Sequence, residues 1–187
     1  SYPLFAFCAI FVASITFSVS SVFALPFVEN DKLGGHDPYS ASKAAAEIII
    51  NSYRQSFFDP AKFAMHQKAL ASVRAGNVIG GGDWASYRII PDCVRSWSNN
   101  KKAIIRNSIA TRPWQHVLEP ISGYIRLAAK ILSAGHGFDG AWNFGPKVGD
   151  ARTVLDVANT IKNYFEGGKV SFDESLADIH EAKLLQL

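Results

Sequence analysis

Residues 33–47 read LGGHDPYSASKAAAE, and this stretch decides the fold. The Asp37-Pro38 pair disfavours helix at the aspartate, so the preceding residues form a loop that ends there. From Tyr39 to Phe58 the chain contains no glycine or proline, and alanine and isoleucine recur. This composition predicts a long helix over residues 39–58.

Two residues at the start of this helix can carry chemistry. Tyr39 and Lys43 are four residues apart, so their side chains lie on one face, about one turn apart. An ammonium beside a phenol favours the phenolate, which suits the tyrosine to proton transfer. The lysine can also donate to the ribose hydroxyls of a nicotinamide cofactor. The spacing alone leaves a second interpretation open, an exposed tyrosine with a solvated lysine.

The rest of the chain alternates between apolar runs and helical patterns. Residues 69–75 (ALASVRA) are typical of a buried parallel strand that leads into a loop at Asn77. Shorter strands are predicted at 103–106, 141–144 and 169–172. Helices are predicted at 89–97, 116–133 and 153–165. Because strands alternate with helices, we expect an α/β layered fold.

Composition excludes several classes of protein. The 187 residues are 48% hydrophobic and carry a formal net charge of +3. Lysine and arginine form no clustered stripe, so we expect no nucleic-acid partner. Cys8 and Cys93 have neither metal-ligand spacing nor a disulfide framework. This cysteine usage agrees with a reducing compartment, and we expect no metal site.

The N-terminal segment is unusual because residues 1–28 contain no charged side chain. It lacks the basic start of a signal peptide. Residues 2–12 are apolar, but serines then interrupt the run before it reaches the roughly 20 residues of a membrane span. Alternation at residues 15–19 favours a strand. Three interpretations stay open: a misread or fragment end, a core strand, or a membrane anchor.

Several segments, in order, carry a resemblance to a known family. They are LGGHDPYSASKAAAE at 33–47, RAGNVIGGGDW at 74–84, RIIPD at 88–92, ATRPWQHVLEP at 110–120 and WNFGP at 142–146. Together they resemble the extended short-chain dehydrogenase/reductases, and among them the CDP-glucose 4,6-dehydratases. The resemblance implies a partial Rossmann-like, doubly wound parallel sheet with a small C-terminal substrate-binding region. It also implies NAD as cofactor, CDP-glucose or a related nucleotide sugar as substrate, and a cytoplasmic homodimer that acts in deoxysugar and O-antigen biosynthesis.

The resemblance assigns roles to individual residues. Tyr39 and Lys43 become the catalytic pair and also contact the cofactor. The implied substrate-binding residues are Asn77, Arg88, Arg112 and Asn143. An asparagine that opens a glycine-rich loop can instead be a turn residue, and Arg88 can equally be a surface arginine. Arg112 is the residue that the resemblance places on the substrate diphosphate, for which a guanidinium fork is suited.

The resemblance also implies a division of the chain and some departures from the family pattern. Residues 1–24 form an atypical apolar segment, 25–78 the remainder of the NAD-binding domain, and 79–187 mainly the substrate region with part of the sheet. No Gly-x-x-Gly-x-x-Gly motif is found, nor a Thr-Ser-Asp-Lys-like segment before Leu25, where Ser14 or Thr16 could supply a hydroxyl. We therefore expect a fragment that is inactive alone. The alternatives are another extended-family epimerase or reductase, or an inactive module that binds nucleotide sugars or dimerises.

Other histidines and tryptophans are weaker candidates. His116 is predicted to open a helix as a structural histidine, and His36 to shape the loop before Tyr39. Trp84 and Trp142 are the tryptophans that could stack on a ligand, although tryptophan is more often a core residue.

Overall fold

The computed structural model describes the backbone of residues 7–13 and, in full, residues 28–34, 37–147 and 149–173. The helices are α1 Pro38–Phe57, α2 Phe63–His66, α3 Ile89–Ser98, α4 Leu118–Ala134 and α5 Val154–Lys162, with a 3-10 turn at Pro60–Lys62. The strands are β1 Phe7–Ala13, β2 Lys68–Ala75, β3 Asn77–Ile79, β4 Ala103–Ile105, β5 Thr111–Arg112, β6 Trp114–His116, β7 Gly140–Phe144, β8 Arg152–Thr153 and β9 Val170–Phe172. Strands and helices alternate, as the sequence predicts.

A three-stranded sheet in the order β1-β2-β7 forms the centre of the fold. Both pairings are parallel, with Phe7 opposite Lys68 and Ala71 opposite Gly140. Long crossovers that contain α1 and α4 connect these strands, as parallel neighbours require. The central strand β2 is buried from its second residue onward.

Helices cover both faces of this sheet. One face of β2 packs against α4 in a cluster of buried side chains: Ala69, Ala71, Val73, Leu127 and Ile131. Ser72 and Arg74, which alternate with that set, bond to Glu47 of α1. Because successive side chains of a strand point to opposite faces, α1 and α4 lie on opposite faces. The predicted α/β fold with a doubly wound parallel sheet is therefore confirmed.

A second hydrophobic cluster lies beside the sheet, around the pair β4-β9. Its buried members are Cys93, Trp97, Ala103, Ile105 and Ala158, from α3, β4 and α5. The short pairs β3-β6, which is parallel, and β5-β8, which is antiparallel, complete this part. The boundary that the sequence predicts between residues 78 and 79 falls inside β3.

Two local predictions are wrong, and for the same reason. His116 ends β6 instead of opening a helix, and Asn77 begins β3 instead of a loop. These two three-residue strands pair with each other, with Asn77 opposite Trp114 and Ile79 opposite His116. Strands this short carry no periodicity of their own, so the pairing partner decides their structure.

The N-terminal segment contributes a strand. Phe7–Ala13 pairs along its length with β2, so these residues form a strand of the central sheet and not a membrane-spanning helix. The alternating stretch at 15–19 lies outside the described residues, as do Ser14 and Thr16. Within the part of the chain that is described, no helix combines the length and the apolar character needed to cross a bilayer.

Candidate functional site

The start of α1 is fixed by Asp37. The Ser40 hydroxyl donates to Asp37 Oδ2 at 2.5 Å, and the Ser40 backbone N–H donates to Oδ1 at 3.0 Å. Both bonds lower the pKa of Asp37, and the bond from the hydroxyl has the larger effect. Pro38 occupies the first turn, where its missing N–H costs little. The sequence Asp-Pro-Tyr-Ser thus places Tyr39 in the first turn of a well-capped helix.

Tyr39 and Lys43 lie together on one face of α1, as their spacing predicts. Nζ of Lys43 is 5.4 Å from the centre of the Tyr39 ring. The tyrosine is 55% exposed, and Lys43 is half-buried. The pair is therefore open to a ligand, with the ammonium of Lys43 beside the tyrosine ring.

Glu47 lies on the same helical face, four residues beyond Lys43, and sequence reasoning missed it. Its Oε2 accepts bonds from Arg74 Nη2 at 2.8 Å and from the Ser72 hydroxyl at 2.9 Å. The side chains of Glu47 and Arg74 are only 4% and 3% exposed. A buried pair of this kind holds α1 against β2, because separating the partners would leave an isolated charge in the core.

Glu29 connects this ion pair to β7. Its backbone carbonyl accepts from Arg74 Nη1 at 3.3 Å, and its Oε1 accepts from the backbone N–H of Asn143 at 2.8 Å. Asn143 stands opposite Arg74 in the sheet. Its backbone is thus part of this network, while its role as a nucleotide contact stays a prediction.

A cavity of about 170 Å³ opens where β3, the first turn of α3, the end of β4 and the β5–β6 segment meet. Among its lining residues are the three predicted substrate contacts Asn77, Arg88 and Arg112. The other predicted site residues, Tyr39, Lys43 and Asn143, do not line it. The structure thus brings together three of the six predicted residues in one cavity, and a fourth and fifth in contact on α1.

The two predicted arginines of the cavity differ in burial. Arg112 is 6% exposed, and its Nη1 donates to the carbonyl of Thr111 at 2.9 Å. Arg88 is 60% exposed, and its Nε lies 3.3 Å from Asp83 Oδ2. Arg112 is therefore a fixed guanidinium within the wall, whereas Arg88 is a surface arginine at the rim. A guanidinium fork matches the oxygens of a phosphate in either position.

Sequence reasoning missed two further residues of the cavity, Tyr87 and Arg106. The Arg106 guanidinium lies 5.5 Å from the centre of the Tyr87 ring. Both line the cavity, together with apolar residues that α3 and β4 contribute. The available signal was the position of Arg106 at the end of a predicted strand, where ligand contacts of parallel sheets concentrate.

The remaining candidates have structural surroundings. His116 Nδ1 accepts from the first backbone N–H of α4 at 3.3 Å, which agrees with a structural role. His36 lies outside the described residues. Trp142 packs at 6.2 Å on Phe138 and donates to its carbonyl at 3.0 Å. Trp84 is 62% exposed, so its role in stacking stays a prediction.

The residues present fit one end of a nicotinamide cofactor. The exposed Tyr39 hydroxyl and the Lys43 ammonium offer donors for a ribose and a base for an alcohol proton. A Gly-x-Gly-x-x-Gly pattern does occur at 135–140, but it leads from α4 into β7. A phosphate cradle needs the reverse context, from strand into helix. No cluster of potential metal ligands occurs among the described residues.

Comparison with known proteins gives these features a context. Residues 12–145 match the NAD dependent epimerase/dehydratase family. The chain is 57% identical over 126 residues to CDP-glucose 4,6-dehydratase of Salmonella typhimurium, an alignment that covers 67% of this chain and 35% of that enzyme.

Solved structures share the fold at lower identity. A dTDP-glucose 4,6-dehydratase from Bacillus anthracis in complex with NAD has a TM-score of 0.71 at 18% identity, and the match covers 95% of this chain and 51% of that chain. A UDP-N-acetylglucosamine 4-epimerase from Methanobrevibacter ruminantium has a TM-score of 0.71 at 20% identity over 96% of this chain and 53% of that one. The chain thus spans about a third of the curated relative and about half of these structures. Because the family match extends over more than half of the sequence, the chain belongs to the NAD dependent epimerase/dehydratase family.

Proposed function

We propose that this chain carries the catalytic helix and the nucleotide-sugar cavity of an NAD-dependent CDP-glucose 4,6-dehydratase. The 57% identity to the Salmonella enzyme supports the choice of substrate. The reaction converts CDP-glucose to CDP-4-keto-6-deoxyglucose with loss of one water. The family resemblance implies a cytoplasmic location and a role in deoxysugar and O-antigen biosynthesis.

One observation carries the proposal: Asn77 and Arg112, far apart in sequence, line the same cavity. The pairing of β3 with β6 brings them there, since Asn77 stands opposite Trp114. An amide and a buried guanidinium on one wall provide donors for a diphosphate and for sugar hydroxyls. Arg88 at the rim adds a third polar contact and a second positive charge.

The catalytic work that this chain offers is proton transfer. In the proposed mechanism the Tyr39 phenolate accepts the proton of the sugar's C4 hydroxyl during oxidation. Lys43 stabilises that phenolate and donates to the ribose hydroxyls of the cofactor. When bound, NAD supplies a reversible hydride acceptor. Arg112 and Asn77 hold the nucleotide end, so that the sugar has one orientation relative to Tyr39.

Nucleotide binding tests the cavity directly. We expect CDP and CDP-glucose to bind the chain in calorimetric titration, and Arg112→Ala to weaken CDP by about tenfold or more, because a charged hydrogen-bonding partner of the phosphates is lost. Arg126 on the exposed side of α4 is the matched control, and Arg126→Ala should leave CDP affinity unchanged. Equal effects of the two substitutions would contradict the assignment of the cavity.

An alternative function is that of an inactive nucleotide-sugar-binding module. Fluorescence titration with NADH distinguishes the two functions: binding that Lys43→Ala weakens supports the dehydratase, whereas CDP binding without NADH binding supports the module. Turnover of UDP sugars in preference to CDP-glucose would instead favour an epimerase or reductase.

We also propose a homodimer through the outer face of α1. Large apolar side chains are exposed there, namely Ile48, Ile49, Tyr53 and Phe57. A contiguous apolar face of this kind is typical of an interaction surface. Sedimentation should give a dimer for the wild type and a monomer for Ile49→Glu, since a buried unpaired carboxylate opposes association. A monomeric wild type would refute this part of the proposal.

A further inference from the structure

Arg106, directly after β4, has a well-defined position in the cavity. Its guanidinium lies over the Tyr87 ring with Cζ 5.5 Å from the ring centre, and its Nη2 donates to the Tyr87 carbonyl at 3.4 Å. Tyr87 itself has φ 66°, a conformation that a bulky residue rarely adopts. Strain of this kind persists where the surroundings impose it and is concentrated at ligand sites. The stack thus holds a flat cation at the cavity rim.

The wall next to Arg106 is apolar. Ile89, Ile105 and Val154 all line the cavity, and they pack together in the hydrophobic cluster around β4. A nucleobase requires an apolar surface for its faces and polar groups at its edge. This part of the cavity offers both, because the partly buried Ile89 and Val154 line it together with Arg106.

Arg106 also differs from Arg88 and Arg95 in its charge balance. Arg88 faces the Asp83 carboxylate, and Arg95 lies 2.7 Å from Asp92. Within the described part of the chain, Arg106 forms no ion pair. Its donors are committed only to one long bond with a carbonyl, which leaves the fork available to a ligand.

We propose that Arg106 selects cytosine over uracil and thymine in this cavity. The inference rests on the proposed nucleotide-sugar function and specifies its base. Cytosine presents two adjacent acceptors, O2 and N3, and a guanidinium presents two parallel N–H donors, so the two edges pair. In uracil and thymine N3 carries a hydrogen, which would face one of those donors. A site built for one hydrogen-bond pattern rejects the analogue that breaks it.

Two substitutions separate base selection from phosphate binding. Arg106→Lys keeps the positive charge but loses the fork, whereas Arg106→Gln loses the charge but offers one donor and one acceptor, which suits the N3–H of uracil. If Arg106 only attracted phosphate, the lysine variant would retain the wild-type affinities. Selection of the base requires that the lysine variant lose discrimination although its charge is unchanged.

The experiment is competitive titration of the wild type and both variants with CDP, UDP and inorganic pyrophosphate, after thermal unfolding has shown that all three are folded. We expect the wild type to favour CDP over UDP by about tenfold or more, Arg106→Lys to bring that ratio close to one, and Arg106→Gln to bring it to one or below. Pyrophosphate affinity should change little in the lysine variant.

The outcomes distinguish this inference from the proposed function. A wild type that binds CDP and UDP equally, or a lysine variant that keeps the wild-type ratio, refutes base selection by Arg106 and leaves the nucleotide cavity intact. If Arg106→Gln, but not Arg106→Lys, lost affinity for CDP, UDP and pyrophosphate equally, Arg106 would be a phosphate ligand and base selection would be refuted. A wild type that binds none of the three refutes the cavity assignment, and base selection with it.

Discussion

Two arginine–carboxylate pairs, one beneath α1 and one at the cavity rim, show how differently the two regions of this molecule are held. Arg74 and Glu47 approach to 2.8 Å with side chains 3% and 4% exposed. Arg88 and Asp83 approach to 3.3 Å with side chains 60% and 37% exposed. The first pair is inaccessible to water and fixes a helix on a sheet. The second is solvated, so a ligand phosphate can compete for its arginine at little cost.

The comparison teaches that the charges of the two regions serve different purposes. The helix with Tyr39 and Lys43 is anchored two turns away by a bond that cannot be broken cheaply. This keeps the proposed catalytic pair in one orientation. The cavity instead presents Arg88 and Arg106 with weak or no carboxylate partners among the described residues, so it can exchange internal contacts for ligand contacts.

Breaking the buried pair should have the largest effect. Glu47→Ala leaves the Arg74 guanidinium in the core without its carboxylate, and we expect a loss of about 3–5 kcal/mol in the free energy of unfolding. Denaturant unfolding followed by circular dichroism measures it. The double substitution Glu47→Leu with Arg74→Met, which removes both charges, should be less destabilising than the single change. A double variant that is less stable than Glu47→Ala would contradict this account.

Cys93 is a titratable group that is buried in its neutral form, within the second hydrophobic cluster. It therefore contrasts with the buried ion pair. Burial raises the pKa of its thiol from 9.0 to about 11. Above pH 9 the unfolded chain therefore releases this proton while the folded chain retains it, so stability falls between pH 9 and 11. Cys93→Ala should remove that part of the pH dependence. An identical pH dependence of the wild type and the alanine variant would refute the assignment to Cys93.

The cap of helix α5, which contributes Ala158 to the second hydrophobic cluster, should have a smaller effect on stability. The Thr153 hydroxyl accepts from the Asp156 backbone N–H at 3.0 Å, and Asp156 Oδ2 accepts from the Thr153 N–H at 3.1 Å. Thr153→Ala removes half of this capping box and should cost about 1 kcal/mol. Thermal unfolding measures the change, and Thr153→Ser is the control that keeps the cap. A serine variant as unstable as the alanine variant would contradict the capping role.

Sequence predicted the parts of the fold whose signals are local. The helix at α1 follows from Asp37-Pro38 and a run without glycine, and β2 follows from its continuous apolar composition. The contact between Tyr39 and Lys43 follows from helical spacing alone. The family resemblance predicted that Asn77 and Arg112 both contact the substrate, and the structure has both of them in the lining of one cavity.

The rest depended on distant contacts that leave no local pattern. Glu47 lies in α1 and Arg74 in β2, and neither sequence neighbourhood indicates a partner. The structure of Trp114–His116 is decided by its pairing with Asn77–Ile79. Arg106 meets Tyr87 only because α3 and β4 pack together. Tertiary packing, which a single sequence does not display, decides each of these.

Breaking the Arg88–Asp83 pair at the cavity rim should have the smallest effect on stability. Asp83→Ala removes a carboxylate that is 37% exposed, so we expect the free energy of unfolding to change by less than about 1 kcal/mol. Since Arg88 then has no nearby anion at this contact, pyrophosphate should bind at least as tightly as to the wild type, and more so at low salt. Denaturant unfolding and titration at two ionic strengths measure both quantities. A loss of stability as large as that of Glu47→Ala would remove the distinction between the two pairs, because it would mean that the rim pair also holds the fold.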